Sequence, residues 1–314
     1  VWLPAALCFA CGAAPQDRSP QPASAPAASR QEAVGAPALA PGAPSNPAPP
    51  TSAPEPTPFP CAELSCTTFA NAIDAARAAL SSEVRVVGFG EAHAPGHFRG
   101  RTTVKRFTED LLPSLAARSK HLLVELLVPP KGCEKERQKV QAESDAITEG
   151  QAEENQSEYV ALGHAARSHG VVPDVLHPSC EEMQAVAAAD VGVLALMETI
   201  ALLSQRTAER WLAEPAGERP LVLLYGGALH NDVSPREPLA TWSYGPRLIE
   251  LSGGHYVEVD LVVPELVGDT DSWKKFAWYG AVRSLPPGHG TTLVRVSERS
   301  FALVFAALDG TPAR

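Results

Sequence analysis

The chain has 314 residues, is 45% hydrophobic and carries a formal net charge of -10. That acidic balance, with no basic cluster interleaved with aromatics, excludes nucleic acid as an expected partner. Beyond the first dozen residues no apolar run is long enough for a bilayer-spanning helix.

The opening stretch, Val1-Trp2-Leu3-Pro4-Ala5-Ala6-Leu7-Cys8-Phe9-Ala10-Cys11-Gly12, reads as the apolar end of an export signal. Small Ala10 before Cys11 resembles a bacterial lipoprotein processing site, which predicts a membrane anchor through a lipid on Cys11. The expected location is the cell envelope, lipid-anchored or periplasmic/secreted. A cleaved secreted protein and a cytoplasmic chain with a misjudged start are the alternatives. Residues 13–60 are almost all Ala, Pro, Ser, Gly and Thr, too poor in apolar bulk to offset the entropy of ordering, and read as a disordered tether. Residues 61–314 are then a single α/β domain.

Thr67 to Leu80 has helical spacing of Ala and Leu. Val84 to Phe89 is a first buried strand, followed by a loop bearing Glu91 and His93 that Pro95 and Gly96 keep from becoming a helix. Thr103 to Arg118 places Val104, Phe107, Leu111, Leu112 and Leu115 on one helix face. Leu122 to Val128 is a second strand, closed by Pro129 and Pro130. Residues 131–170 form a polar insertion of two helices, near 134–148 and 153–168, a candidate lid over a strand end. Val171 to Leu176 is a third strand, and an Ala-rich helical region runs to about Ala213. Leu221 to Tyr225 is a fourth strand, Leu239 to Leu251 a helix, and His255 to Val263 a fifth strand. Thr291 to Ser297 and Phe301 to Ala307 make a closing hairpin. Strands alternating with helices predict an α/β fold: a mostly parallel central sheet flanked by helices on both faces, with an antiparallel C-terminal edge hairpin.

Four cysteines remain beyond Cys11. In an exported chain they favour disulfides, Cys61 with Cys66 and Cys133 with Cys180, the latter two just past strand ends; buried unpaired thiols are the alternative.

Two strands end in the same grammar, Gly90-Glu91-Ala92-His93 and Gly227-Ala228-Leu229-His230, and in such sheets ligands bind beyond the carboxyl ends of the strands. Between them lies Glu125, an acid inside Leu122-Leu123-Val124-Glu125-Leu126-Leu127, which must be paired or bound to a cation to offset several kcal/mol or more of lost hydration. Glu91, His93, Glu125 and His230 are therefore the candidate catalytic residues and the candidate ligands of a divalent Mn, Co, Zn or Fe whose bound water is a nucleophile. The bland reading pairs Glu125 with Arg99 or Arg101. Those arginines otherwise meet solvent or an anionic group. Asn231 and Asp232 either orient a ligand or cap a turn, and His97 and His177 are weaker candidates. Glu258 and Asp260 fall on one strand face as solvated or helix-contacting residues, and His164, His169, His255 and His289 have no supporting pattern. Gly88-x-Gly90-x-x-His93 misses the dinucleotide fingerprint, since its third glycine is a histidine and Glu91 would repel a pyrophosphate.

These motifs, in this order, resemble the superfamily that joins TIKI and TraB proteins, erythromycin esterases, ChaN-like haem-binding lipoproteins and a bacterial toxin domain. The resemblance covers Val84 to about Val263, and the Gly-Glu-x-His form is similar to the esterase and ChaN branches. It implies a hydrolase of ester or peptide bonds acting on a small-molecule or peptide substrate. Its alternative is a haem- or iron-binding lipoprotein, with His93, His97 and Tyr225 as ligands. The Ala94-Pro95-Gly96-His97 continuation departs from the ChaN pattern.

Overall fold

The structure is a computed structural model and describes residues 56, 58–148, 151–152, 154–215 and 217–307. The predicted lipid-anchor Cys11 and nearly all of the tether lie outside them. In chain order the elements are β1 (Pro58–Cys61), β2 (Leu64–Phe69), α1 (Ala72–Ala79), β3 (Val86–Glu91), α2 (Thr103–Arg106), a π-helical turn (Phe107–Leu111), α3 (Leu112–Ala116) and β4 (Ser119–Leu127). Then come α4 (Glu134–Thr148), α5 (Glu154–Ser168), β5 (Val172–Leu176), α6 (Cys180–Ala188), α7 (Gly192–Leu212) and β6 (Leu221–Gly227). The chain closes with α8 (Gly245–Leu251), β7 (Tyr256–Val262), α9 (Tyr279–Ser284), β8 (Thr291–Arg295) and β9 (Ser300–Val304).

The strands form one sheet in the order β1-β2-β8-β9-β7-β3-β6-β4-β5. From β9 to β5 every pairing is parallel. The strands β1, β2, β8 and β9 pair antiparallel and make the edge that the closing hairpin predicts. Alternate residues of each central strand enter opposite layers. Val87, Phe89, Leu122, Val124, Leu223 and Tyr225 pack with α1, the α2–α3 segment and α5. Val86, Leu123, Val222 and Leu224 pack with α6, α7 and α8. A third cluster, with Trp278, Val294 and Val304, covers the antiparallel end.

Several boundaries depart from expectation, each for a local reason. The helix predicted from Thr67 begins at Ala72, because Leu64–Phe69 pairs with β8 and Asn71 caps the helix by accepting the Asp74 amide. The tether ends before Pro60, since Pro58–Cys61 is already paired. The Thr103 helix is continuous but widens to a π turn one residue before Leu112-Pro113, where proline removes an amide donor. The helix predicted over Leu239 to Leu251 is broken at Ser243, whose hydroxyl donates to the carbonyls of His230 and Asp232; Gly245 alone starts a true helix. The Ala-rich region is two helices, α6 and α7. Both expected disulfides form, Cys61–Cys66 and Cys133–Cys180. No helix among the described residues is long and apolar enough to cross a membrane.

Candidate functional site

The strand order supplies the neighbourhood that the motifs need. β6 lies between β3 and β4, with Glu91 directly opposite Gly227 at the carboxyl ends of β3 and β6. The Ala228 amide donates to the Glu91 carbonyl at 3.0 Å and the His230 amide to the Gly227 carbonyl at 3.0 Å, so the chain turns back tightly and lifts His230 over the strand end. In β4 the pairing with β5 slips between Val124 and Leu127, and Glu125 leaves the ladder there. Its side chain lies across β6: a methyl built on Gly226 would stand 2.0 Å from Glu125 Oε2, so only glycine fits beneath it. The Gly227 amide donates to that same oxygen at 2.8 Å.

Both imidazoles are oriented through Nδ1. His230 Nδ1 donates to the Trp242 carbonyl at 2.6 Å, and His93 Nδ1 lies 3.0 Å from Glu91 Oε1. Carbonyl and carboxylate oxygens accept, so each neutral ring keeps its proton on Nδ1 and a lone pair on Nε2. Both Nε2 atoms are buried and without a hydrogen-bond partner. The two rings and Glu125 border the space above Gly227, His93 through Nε2 and His230 through Cδ2. A methyl built on Gly227 would be 3.8 Å from His230 Cδ2, 3.9 Å from Glu125 Oε2 and 3.9 Å from His93 Nε2. Glu125 Oε1 faces His230 Nε2 at 3.6 Å, too far for a hydrogen bond but close enough for one proton or cation to serve both. Burial pushes the Glu125 carboxyl well above its ordinary range; the Gly227 amide opposes that shift and the charge of Glu91 adds to it. Burial lowers His230 to about 4, against the pull of the Trp242 carbonyl, with His93 adding to the depression.

The arginine pairing of Glu125 is not formed. Arg99 is exposed and donates to the carbonyls of Gly96 and Phe98, while Arg101 pairs with Glu109 and Asp110. Glu91 has a different environment from Glu125. Its Oε1 accepts from the Tyr159 hydroxyl at 2.8 Å and its Oε2 from the Tyr225 hydroxyl, so it orients His93 and is less free to bind a cation. Of the three residues expected to hold haem, His97 is exposed, whereas Tyr225 is buried with its hydroxyl on Glu91, whose other carboxylate oxygen meets His93.

Asn231 is an anchor. It is buried, donates to the Gly88 carbonyl at 3.3 Å and to Asp260 at 3.0 Å, and its own carbonyl accepts from Tyr256 at 2.7 Å. Asp232 caps the next turn through the Ser234 amide. Glu258 and Asp260 share a strand face as expected, but that face is not solvated. The two are 5% and 2% exposed, with Glu258 accepting the Val233 amide and Asp260 the Trp278 indole. Sequence alternation finds the shared face; it cannot reveal that the segment after His230 and the Trp278 turn lie over it. His177 is exposed and pairs with Asp174.

Tyr159 is the site residue that sequence reasoning missed. It comes from the insertion, whose packing against the site no short motif announces. The side chains of Glu91, His93, Glu125 and His230 are at most 7% exposed, so the site is closed; Tyr159 of α5 packs on Glu91, and Asn155 ties α5 to the chain at Ala94. A surface cavity of about 310 Å³ between α6 and α7 shares no residue with it. In donor type, two imidazole nitrogens and a carboxylate fit a divalent cation. Among the described residues, however, no three His, Cys, Asp or Glu side chains form a ready metal cage. The orphaned Nε2 atoms are the stronger indication of the two, because they are buried polar atoms that require a partner.

No protein-family model matches the chain, and no curated protein matches it. Among solved structures it is similar to the type III effector HopBA1, at 12% identity over 77% of this chain and 96% of that one, with a TM-score of 0.37. A likeness at that level carries no argument about function.

Proposed function

We propose that this chain is a metal-dependent hydrolase of ester or peptide bonds, carried by an envelope protein anchored through Cys11 and related to the TIKI, ChaN and erythromycin-esterase superfamily. The observation that carries the chemistry is a pair of buried, unpartnered Nε2 atoms, that of His93 facing the space above Gly227 together with Glu125 Oε2, and that of His230 facing Glu125 Oε1 at 3.6 Å. His93 and His230 are the nitrogen ligands and Glu125 the carboxylate partner. Glu91 holds His93 in the tautomer that directs Nε2 at the site.

A divalent cation there would acidify a bound water and polarise the substrate carbonyl. The residues do the remaining work. Glu125 would hold the cation as a carboxylate beside the two imidazoles, so its uptake would favour the deprotonated form. The freed carboxylate then accepts a proton from the attacking water and returns it to the leaving alcohol or amine. The apolar surroundings that raise the Glu125 carboxyl also strengthen each of these interactions by excluding water. Substrate must displace part of the α5 and 94–101 cover to reach them.

The test is elemental analysis of the full chain after exposure to Mn, Co, Zn and Fe, beside the His93→Ala/His230→Ala double variant, followed by an ester and peptide substrate screen. Stoichiometric metal and turnover in the wild type, both lost in a variant that still folds, is the expected result. Equal metal content in the two proteins, or turnover that survives the double substitution, overturns it.

A further inference from the structure

The insertion contributes a side chain to the site itself. Glu91 Oε1 receives two donors, the Tyr159 hydroxyl at 2.8 Å and His93 Nδ1 at 3.0 Å, and the same hydroxyl oxygen stands 3.4 Å from His93 Nδ1. The other carboxylate oxygen is taken by Tyr225. With one tyrosyl hydroxyl on each oxygen, the carboxylate cannot rotate away from the imidazole without losing a charge-assisted hydrogen bond. The two tyrosines differ in how they are held. Tyr225 is part of β6 and is fixed by the sheet. Tyr159 is part of α5, whose N-terminal half is tied to the segment after β3 by a short set of polar contacts. Asn155 donates to the Ala94 carbonyl at 3.1 Å, the Ala152 amide to the same carbonyl at 3.0 Å, and Glu158 accepts from Thr102 at 2.6 Å and from Lys105 at 2.8 Å.

We infer that Tyr159 is a positioning residue supplied by the insertion: by clamping Glu91 it fixes the Nδ1–H tautomer of His93, so the site is complete only while α5 is docked. What the Nε2 lone pair then does rests on the proposed hydrolase; the tautomer does not. The consequence is a coupling between cover and chemistry, because the movement that admits substrate also loosens the clamp, and redocking of α5 restores it.

The experiment is nitrogen-15 NMR of the histidine rings in the full chain, where ring shifts and one-bond couplings separate the two tautomers, with Zn2+ titration by calorimetry run beside it. Wild type should show His93 as Nδ1–H alone. Tyr159→Phe, which keeps the ring and removes the hydroxyl, should show a second, Nε2–H population and bind Zn2+ about 10- to 100-fold more weakly, the range for lost support of a metal-binding histidine. Asn155→Ala loosens the docking without touching Glu91 and should move the tautomer in the same direction by less, which also covers the case of a Tyr159→Phe protein that fails to fold. An unchanged His93 spectrum in the folded variants, with only the melting temperature lowered, would mean that Tyr159 merely packs and would overturn the inference. So would an Nε2–H tautomer in the wild type. If the wild type takes up no Zn2+, the metal-dependent reading falls, and the tautomer measurement still decides the role of Tyr159.

Discussion

Gly227→Ala separates the site from the fold. A methyl at this position meets His230, Glu125 and His93 at 3.8–3.9 Å, which is ordinary van der Waals contact, and Gly227 is not among the glycines with positive φ. Nothing has to move. Restricting the unfolded chain should stabilise the variant by about 0.4–1 kcal/mol, roughly 1–4 °C in melting temperature for a domain of this size. The same methyl occupies the space bordered by His93 Nε2, Glu125 Oε2 and the His230 ring. No protein group has to shift, but a substrate bound there would be misplaced by about an ångström, which costs about 100-fold in rate, so turnover should fall by about that factor and metal uptake should weaken. The neighbouring Gly226→Ala is the control of opposite kind: its methyl would lie 2.0 Å from Glu125 Oε2 and 2.8 Å from Glu125 Cβ, and overpacking should destabilise the protein by about 1–3 kcal/mol. Thermal melts and Zn2+ titrations of the two variants read both effects. A Gly227→Ala protein with undiminished binding and turnover would refute the convergence above Gly227 and place the ligand on the far side of the three groups.

Burial raises Asp260 to about 7, against the Asn231 and Trp278 hydrogen bonds that lower it, so from about pH 4 to about pH 7 the folded protein keeps a proton that the unfolded chain releases. The Asp260 contribution to stability should therefore fall as pH rises through that window, whereas buried His230, lowered to about 4, contributes in the opposite sense. Asp260→Asn should make the slope of urea midpoints against pH more positive, and an unchanged slope would show that Asp260 is ionised in the fold. Cys133–Cys180 closes a loop with a sequence separation of 47, worth about 4 kcal/mol by loop entropy. A Cys133→Ser/Cys180→Ser variant should lose stability of that order in denaturant titrations, whereas Cys61→Ser/Cys66→Ser, with a separation of 5, should lose less. Equal losses would contradict the loop-length argument.

Much of the site was legible because its residues interrupt a pattern. Glu125 stands out as a charge in an apolar run, and the two histidines each end a strand in the same glycine-led turn. Why glycine is required was not legible: only the structure shows Glu125 lying across Gly226. Roles were harder to read than membership. Glu91 and Glu125 look alike in sequence, yet two tyrosyl hydroxyls hold the first while the second accepts from a backbone amide. Helix prediction failed at Thr67 and at Ser243 for a related reason: β8 captures the first segment, and the carbonyls of His230 and Asp232 capture the serine. The first competitor is more than two hundred residues away and the second 11 and 13 residues back, both outside the window of helical periodicity.

The sequence by itself determined the α/β class and the order of the central strands and helices along the chain, and it singled out the favoured cysteine pairing and the four candidate site residues. Periodicity, turn chemistry and the cost of burying a charge are local, and a single chain records them. Only the tertiary structure decided that β6 inserts between β3 and β4, that Tyr159 crosses from the insertion to hold Glu91, and that Glu258 and Asp260 are buried. Those outcomes depend on which layers and strands become neighbours, a choice made by the packing free energy of the whole sheet and its helices and left unspecified by any single segment.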